Sequence, residues 1–582
     1  MRKRAFYLIF TFPLLWAGCS PEPVVQEGTG LIPGKGGIFY GGVFRYNERE
    51  HYETLFPPLI ELAVTQRTAA QIFEGLVKLD QEDLDVKPAI AKSWKIDSTG
   101  KVYTFRIREG VRFHDSECFK GGNGRMVTAM DFKRCFENMA SSDLPNAGYD
   151  KLLKDKIVGA NEFHDGKAEE IIGIKAVDDQ TLEVQLVEPL STFLYLLSTP
   201  FCYLYPMEAY EKYGKGLYVG TGPFMVETVN ETKELILMKN SHYYLEDEHG
   251  NKIPYLDGIV VTFIEDSDSV VAEFKRGNHH LIYQLPTDYI INVMEYGTEK
   301  FLEYKNDGQT EMLVQYYEFQ NQSGIFTDKR VRNAFSYAIN RELIVDKILQ
   351  GDGVAGLHGI TPPCEFFSDY KVDSIIGYNL DVEKARKLLA EAGYPGGKGF
   401  PEIVLDVNEG VGRINVLIAE EVKTQLKENL DVNMSINELS FPEKNLKARK
   451  GESMMWRSGW RSDYPHPESF LSLFYGRDVP SDTSSESYPN TSRYVNPLFD
   501  EYYEKGLHSR TLREGYPWFR KAEQIAMMDA PVLIISYSEN YRITQPEIAN
   551  FPNNAMQYRD FSTVYFMQET QQEKPSDQTS VH

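Results

Sequence analysis

The chain has 582 residues, too many for one compact core, so two or three domains are expected. Its 42% hydrophobic and 13% aromatic content supplies enough apolar side chain for large cores and excludes a disordered chain. A formal net charge of −23 argues against nucleic acid as a partner, because phosphate binding needs a basic footprint; it suits a solvated protein outside the cytoplasm.

The chain opens as a targeting segment. Met1-Arg2-Lys3-Arg4 is a basic stretch, and Ala5–Ala17 is an apolar run too short to span a bilayer but right for a secretory signal. It ends Leu15-Trp16-Ala17-Gly18-Cys19, which resembles a bacterial lipobox with Cys19 as the lipidated residue, although Trp16 stands where an aliphatic residue is usual. No later stretch approaches 18 apolar residues. Residues 20–37, rich in Pro and Gly, read as a tether.

Ile38–Tyr46 reads as the first strand, 52–65 as an extended loop, and Gln66–Val77 as a helix carrying Ile72, Phe73 and Leu76. Lys101–Phe113 alternates, with Tyr103, Phe105 and Ile107 on one side, as a half-buried strand should. Thr128 and Asp131 resemble a capping box for a helix over 129–139. Residues 172–187 form a hairpin about Asp178-Asp179-Gln180, and two more strands fall near 224–229 and 234–239. Ile259–Ile264, then a helix over Asp266–Lys275 stopped by Gly277, suggests a parallel crossover. A strand at Met312–Phe319 precedes helices over 326–340 and 341–349. Asp381 caps the next helix, and Arg413–Leu426 is amphipathic. Asn496-Pro497 opens a further helix, Val532–Tyr537 is a buried strand, and the polar tail beyond about 570 reads as disordered. Strands alternating with helices in both halves make the fold α/β, in two lobes with a ligand between them.

Residues 456–475 concentrate the candidate chemistry. A short strand breaks at Gly459, sets Trp460, Arg461 and Asp463 close together, and gives way through Pro465 and Pro467 to an apolar helix. Aromatic rings beside one acid on such a loop suit a ligand with an apolar body and a cationic end. The same Asp463 would equally serve as a helix cap or as a partner for Arg457.

Several stretches together resemble the oligopeptide/dipeptide-binding family, the extracytoplasmic solute-binding lipoproteins of peptide ABC importers. They include Ile72-Phe-Glu-Gly-Leu76, Lys87–Trp94, Tyr103–Phe113, Val127–Phe132, Val177–Val184, Gly220-Thr-Gly-Pro-Phe224, Val331–Asn340, Glu391–Pro395 and Trp460–Pro465. They fall in the family's order over about residues 40 to 560. The resemblance implies a two-lobed periplasmic-binding-protein-like fold with an extra inserted domain: domain I from 38–70, 217–311 and 546–570, domain II from 71–216, and domain III from 312–545. It also implies that Asp463 holds a peptide's terminal ammonium and that Trp460 walls a side-chain pocket. Main-chain groups of Gly459 and Arg461 on one lobe, and of Ala63 and Val64 on the other, would pair with the peptide like an added strand. Arg457 matches a family Arg near the ligand's carboxylate end, and Arg413 lies where a cationic residue for that carboxylate is sometimes found; a buried ion pair for Arg457 and a solvated helix residue for Arg413 are the alternatives. Gly277-Asn-His-His280 replaces the family's usual acidic turn, and the 114–126 segment is longer than its common short turn.

The expected function is therefore a non-enzymatic, monomeric receptor, periplasmic and lipid-anchored, that delivers short peptides to an ABC permease without a cofactor. A nickel chelate, haem, opine or sugar as ligand, or a sensory role, is the alternative. No Gly-x-Ser-x-Gly, His-Glu-x-x-His or P-loop points to an enzyme. Cys118, Cys135, Cys202 and Cys364 lack metal spacing and leave one disulfide or buried thiols open. His279 and His280 read as structural.

Overall fold

The computed structural model describes residues 30–568 apart from 53, 231–232, 284–303, 409, 411–412 and 483. The leader, Cys19, the start of the tether and the tail beyond 570 lie outside the described residues.

One 11-stranded sheet runs through both lobes. Its first half orders Phe224–Asn230, Glu234–Lys239, Gly258–Thr262, Val43–Asn47 and Leu281–Ile282. Gly258–Thr262 and Leu281–Ile282 flank Val43–Asn47 in parallel, joined by the helix Ser267–Lys275, which is the expected crossover. Val532–Thr544 and Lys305–Phe319 follow, then Met455–Arg461, Ile403–Asn408 and Met434–Leu439.

The long antiparallel pair Lys305–Phe319 and Val532–Thr544 carries the chain from one lobe to the other. Its register breaks between Thr310 and Val314, where residues 311–313 face the single residue Ser538. Such a bulge bends a ladder without cutting it. The break sits where the lobes meet, and Glu311 within it is fully buried, paired with Arg461.

A separate four-stranded antiparallel sheet, Ala91–Ile96, Val102–Ile107, Thr181–Gln185 and Ile174–Asp178, forms the inserted unit. Its inward set, with Tyr103, Phe105, Ile107, Ile174, Leu182 and Val184, is buried as the alternation requires. The helix Ala129–Met139 starts with the expected Thr128/Asp131 box. Asp381 likewise accepts from the Lys384 N–H at 2.9 Å and opens Val382–Glu391. Asp381→Ala is expected to cost about 1 kcal/mol, read as a lower guanidinium midpoint for its lobe. An unchanged midpoint would deny the cap any weight.

Two motifs of the sequence pack on each other. A Cβ on Gly220 would lie 2.1 Å from the Ile72 carbonyl oxygen, and one on Gly222 would lie 2.7 Å from that of Gln71. Only glycine allows this close approach of two backbones. Glu74 is buried beside them, accepting from Tyr243 at 2.7 Å and Tyr244 at 3.1 Å, and burial pushes its carboxyl up to about 7.

Several boundaries differ from the expected ones. The first helix is Ala63–Ile72, not Gln66–Val77, because Glu74 and Gly75 turn into the junction with Leu197 and Cys202 and a new strand starts at Val77. Ala63 and Val64 consequently sit in a helical first turn and not on an extended edge. The strand expected over Ile38–Tyr46 divides at Gly41-Gly42, both at positive φ. The tether's last part folds back, with Ile32 and Pro33 pairing with Tyr40 and Phe39. Met455–Arg461 runs straight through Gly459, whose place opposite Gln315 leaves room for the Gln315–Arg457 contact: a Cβ there would lie 2.8 Å from Gln315 Oε1. All four described cysteines are free thiols.

Candidate functional site

The cleft is built where three segments of distant origin meet. Met455–Arg461 brings Arg457, Trp460 and Arg461 to the edge of the second lobe and delivers Asp463 in the loop that follows. The first lobe supplies the start of the Ala63–Ile72 helix, with Arg67 one turn on, and the 556–559 segment. The inserted unit contributes residues 198–200 and Tyr203. Together these enclose a cavity of about 50 Å³ lined by Ala63, Arg67, Tyr203, Arg461, Asp463 and Arg559, among others. A larger open trough of about 770 Å³, with His279 and His280, lies on the opposite face of the first sheet and belongs to another surface.

Asp463 is half-buried and already paired: Lys151 Nζ lies 2.8 Å from its Oδ2. The Lys comes from the turn Tyr149–Leu153 of the inserted unit. Burial would lower the Lys151 ammonium, but Asp463 beside it wins and raises it. Neither a helix cap nor an Arg457 partnership accounts for Asp463; an ammonium does, and it is the protein's own. The Asp463 N–H and the Trp460 Nε1–H both point to Ser469 Oγ, at 3.1 and 3.4 Å, which fixes the loop against the helix after it. The Trp460 and Tyr488 rings lie with their centroids 6.4 Å apart, tilted at 53° to each other.

Arg457 donates to Gln315 Oε1 and pairs with no carboxylate among the described residues; burial lowers its pKa. Arg413 lies further along the same sheet edge, exposed at the start of the Ile414–Leu430 helix and 3.0 Å from Glu438. Gly459 is exposed on the strand and Val64 is buried. The structure therefore brings Arg461, Asp463 and Ala63 to the cavity with Trp460 beside them, keeps Arg457 further back on the same strand, and leaves Arg413 at the periphery.

Sequence reasoning did not single out the charged network behind the cavity. Glu48 binds Arg67 at 2.6 Å and Arg559 at 2.8 Å. Arg67 also reaches Gln557 at 3.0 Å, Gln557 donates to Glu311, and Glu311 binds Arg461 at 2.9 Å and the Tyr283 hydroxyl at 2.6 Å. Glu48, Glu311, Gln557 and Arg559 are all buried. No local motif flags them, because each is an ordinary polar residue until distant segments bring it together.

His279 and His280 are fixed by ordinary hydrogen bonds. His279 Nε2 lies 3.0 Å from Thr262 Oγ1, and His280 Nδ1 accepts from the Arg45 N–H at 2.9 Å. Burial holds the His280 imidazole down at about 4, so it is neutral at neutral pH. Among the described residues no group of three His, Cys, Asp or Glu side chains could hold a metal ion, and no helix is long and apolar enough to cross a membrane.

Comparison with known proteins gives the same architecture. The chain is 26% identical over 521 residues to the periplasmic oligopeptide-binding protein OppA of Escherichia coli, covering 87% of this chain and 89% of that one. It is 26% identical over 587 residues to heme-binding protein A of Haemophilus influenzae, covering 97% and 99%. The crystal structure of the periplasmic oligopeptide-binding protein OppAIV from Borrelia burgdorferi superposes with a TM-score of 0.74 at 26% identity, over 90% of this chain and 99% of that one. The profile of the bacterial extracellular solute-binding proteins, family 5 (middle), matches residues 85–481. With two lobes joined by a bulged strand pair and a cleft between them, the chain belongs to the family 5 bacterial extracellular solute-binding proteins.

Proposed function

We propose that this protein is the substrate-binding receptor of an ABC importer, which captures short peptides between its lobes and delivers them to the permease. The observation that carries this reading is Asp463, held beside Trp460 at the cleft and already holding an ammonium, that of Lys151. A carboxylate placed to accept one alkylammonium is chemically fit to accept another, and its Oδ1 leaves acceptor capacity beside the Lys151 contact. Main-chain groups of 459–461 on one side and the first-turn N–H groups at Ala63 and Val64 on the other suit a peptide backbone. Arg457 and Arg413 serve its carboxylate end.

In this reading domains I, II and III keep the boundaries read from the sequence, and the lobes close about the bulge at residues 311–313. The protein acts as a monomer, anchored at the periplasmic face of a membrane through Cys19. A second reading, a non-peptide solute such as haem, is favoured by the near full-length match to a heme-binding protein and by the internal pairing of Asp463.

The test is native mass spectrometry of the soluble chain purified from cells, followed by release of its ligand and calorimetry with synthetic tripeptides. Short peptides are expected, and N-acetylation of the terminal amine is expected to weaken them at least tenfold. A single haem-like species, or acetylated peptides bound as well as free ones, would overturn the peptide assignment.

A further inference from the structure

Among the described residues, the ion pairs behind the cavity are not matched one to one. Three guanidiniums, those of Arg67, Arg461 and Arg559, meet two carboxylates, Glu48 and Glu311. Asp463 also lines the cavity, but it is already matched by Lys151 and leaves that excess unchanged. Aromatic faces supply part of the missing compensation, since the Arg559 guanidinium stands 4.5 Å from the Tyr283 ring centre and 5.3 Å from that of Tyr46. They cannot satisfy its N–H groups.

Two guanidinium nitrogens of the network have no hydrogen-bond partner among the described residues. Arg559, only 3% exposed, has an unbonded buried Nη2, and Arg461 has an unbonded buried Nη1. Both residues line the same cavity, together with Asp463. A buried guanidinium N–H left without an acceptor is costly, so its persistence in a ligand-receiving cleft points to an acceptor brought by the ligand. Burial also lowers the Arg559 pKa in spite of Glu48 beside it, in keeping with an undercompensated cation.

The cavity's 50 Å³ holds about three or four water-sized groups, which matches a carboxylate with its methylene. Two guanidiniums approaching one small space favour such a planar, doubly accepting anion. We propose that this cavity is a subsite for an acidic group of the ligand, next to the group that Asp463 holds. The preferred ligands are then peptides with Asp or Glu at the first or second residue. The assignment rests on the peptide reading above and narrows it. It also makes the cleft a cationic spot on a chain whose net charge is −23.

The test compares acid and amide isosteres by calorimetry: Glu-Ala-Ala against Gln-Ala-Ala, and Ala-Glu-Ala against Ala-Gln-Ala. In at least one pair the acid is expected to bind about 10- to 100-fold more tightly, and Arg461→Gln and Arg559→Gln are each expected to cut that ratio to about threefold or less. Should Arg559→Gln fail to fold, Arg461→Gln still decides, because it leaves the Glu48–Arg559 pair intact. Equal binding of acid and amide in both pairs, or a ratio that survives both substitutions, overturns the subsite alone. Failure of every peptide in the panel to bind overturns the peptide reading and the subsite with it.

Discussion

Replacing Asp463 by Asn weakens binding of a peptide with a free amino end by about 2–5 kcal/mol, roughly 30- to 5,000-fold in Kd. The side chain keeps its shape and loses its charge, so the ligand's ammonium enters a half-buried site with no counter-ion. Lys151 gives the same experiment a control of opposite sign. Its ammonium sits 2.8 Å from Asp463 Oδ2 and competes with any ligand ammonium for that carboxylate. Lys151→Met keeps most of the side chain's length, and its contact region near the Phe201 ring, while removing the competitor. About fivefold tighter binding is expected, as suits a partly exposed ion pair. Calorimetry of the two variants against one peptide reads both effects. Unchanged binding in Asp463→Asn would remove this residue from the site.

Replacing Glu48 by Gln lowers the stability of the folded protein by about 3–5 kcal/mol at neutral pH, because it strands two buried guanidiniums, Arg67 and Arg559, that share one carboxylate. The loss has a pH signature. Burial would raise the Glu48 carboxyl, but Arg67 and Arg559 outweigh it and hold it below its usual value of 4.5. A depressed folded-state pKa contributes stability above the unfolded value and loses it as the pH falls through the folded one. The gap between wild type and Glu48→Gln is therefore widest near pH 7 and narrows in acid below about 4.5. Chemical unfolding at several pH values measures it. A constant gap down to pH 3 would mean that Glu48 titrates no differently in the two states.

Both effects arise around one cavity, which Asp463 lines and Glu48 borders through Arg67 and Arg559, and they have different physical origins. Asp463 acts at the partly solvated mouth, where a ligand can replace an internal partner. Glu48 acts deeper, where a lost charge has no water to replace it. The subsite proposed for Arg461 and Arg559 lies between the two.

The sequence was sufficient wherever the controlling physics is local. Alternation at Tyr103, Phe105 and Ile107 places a strand and its buried face, and Thr128, Asp381 and Asn496 each cap the helix expected of them. The same holds for the loop carrying Trp460 and Asp463, because a strand, a Pro-rich turn and an apolar helix are written in adjacent residues. Gly459 misled for a related reason: a glycine in a short run reads as a break, whereas here its lack of a side chain makes room for Gln315, 144 positions earlier in the chain and opposite it in the sheet. Ala63 and Val64 misled because nothing next to them announces a helix start; their N-cap is Leu62, with no capping side chain.

Only the tertiary structure decided which charges meet. Lys151 and Asp463 are 312 positions apart, and Glu48 and Arg559 are 511 apart. Periodicity, caps and turn residues report how a segment folds and which of its faces is buried. They carry no information on the partner that a buried charge finds, because that depends on how separated segments dock. The sequence by itself therefore determined the α/β lobes, the order of the family's segments and the loop that bears Asp463. Docking of those segments determined that Asp463 holds a lysine of its own chain, and that three arginines share two carboxylates behind it.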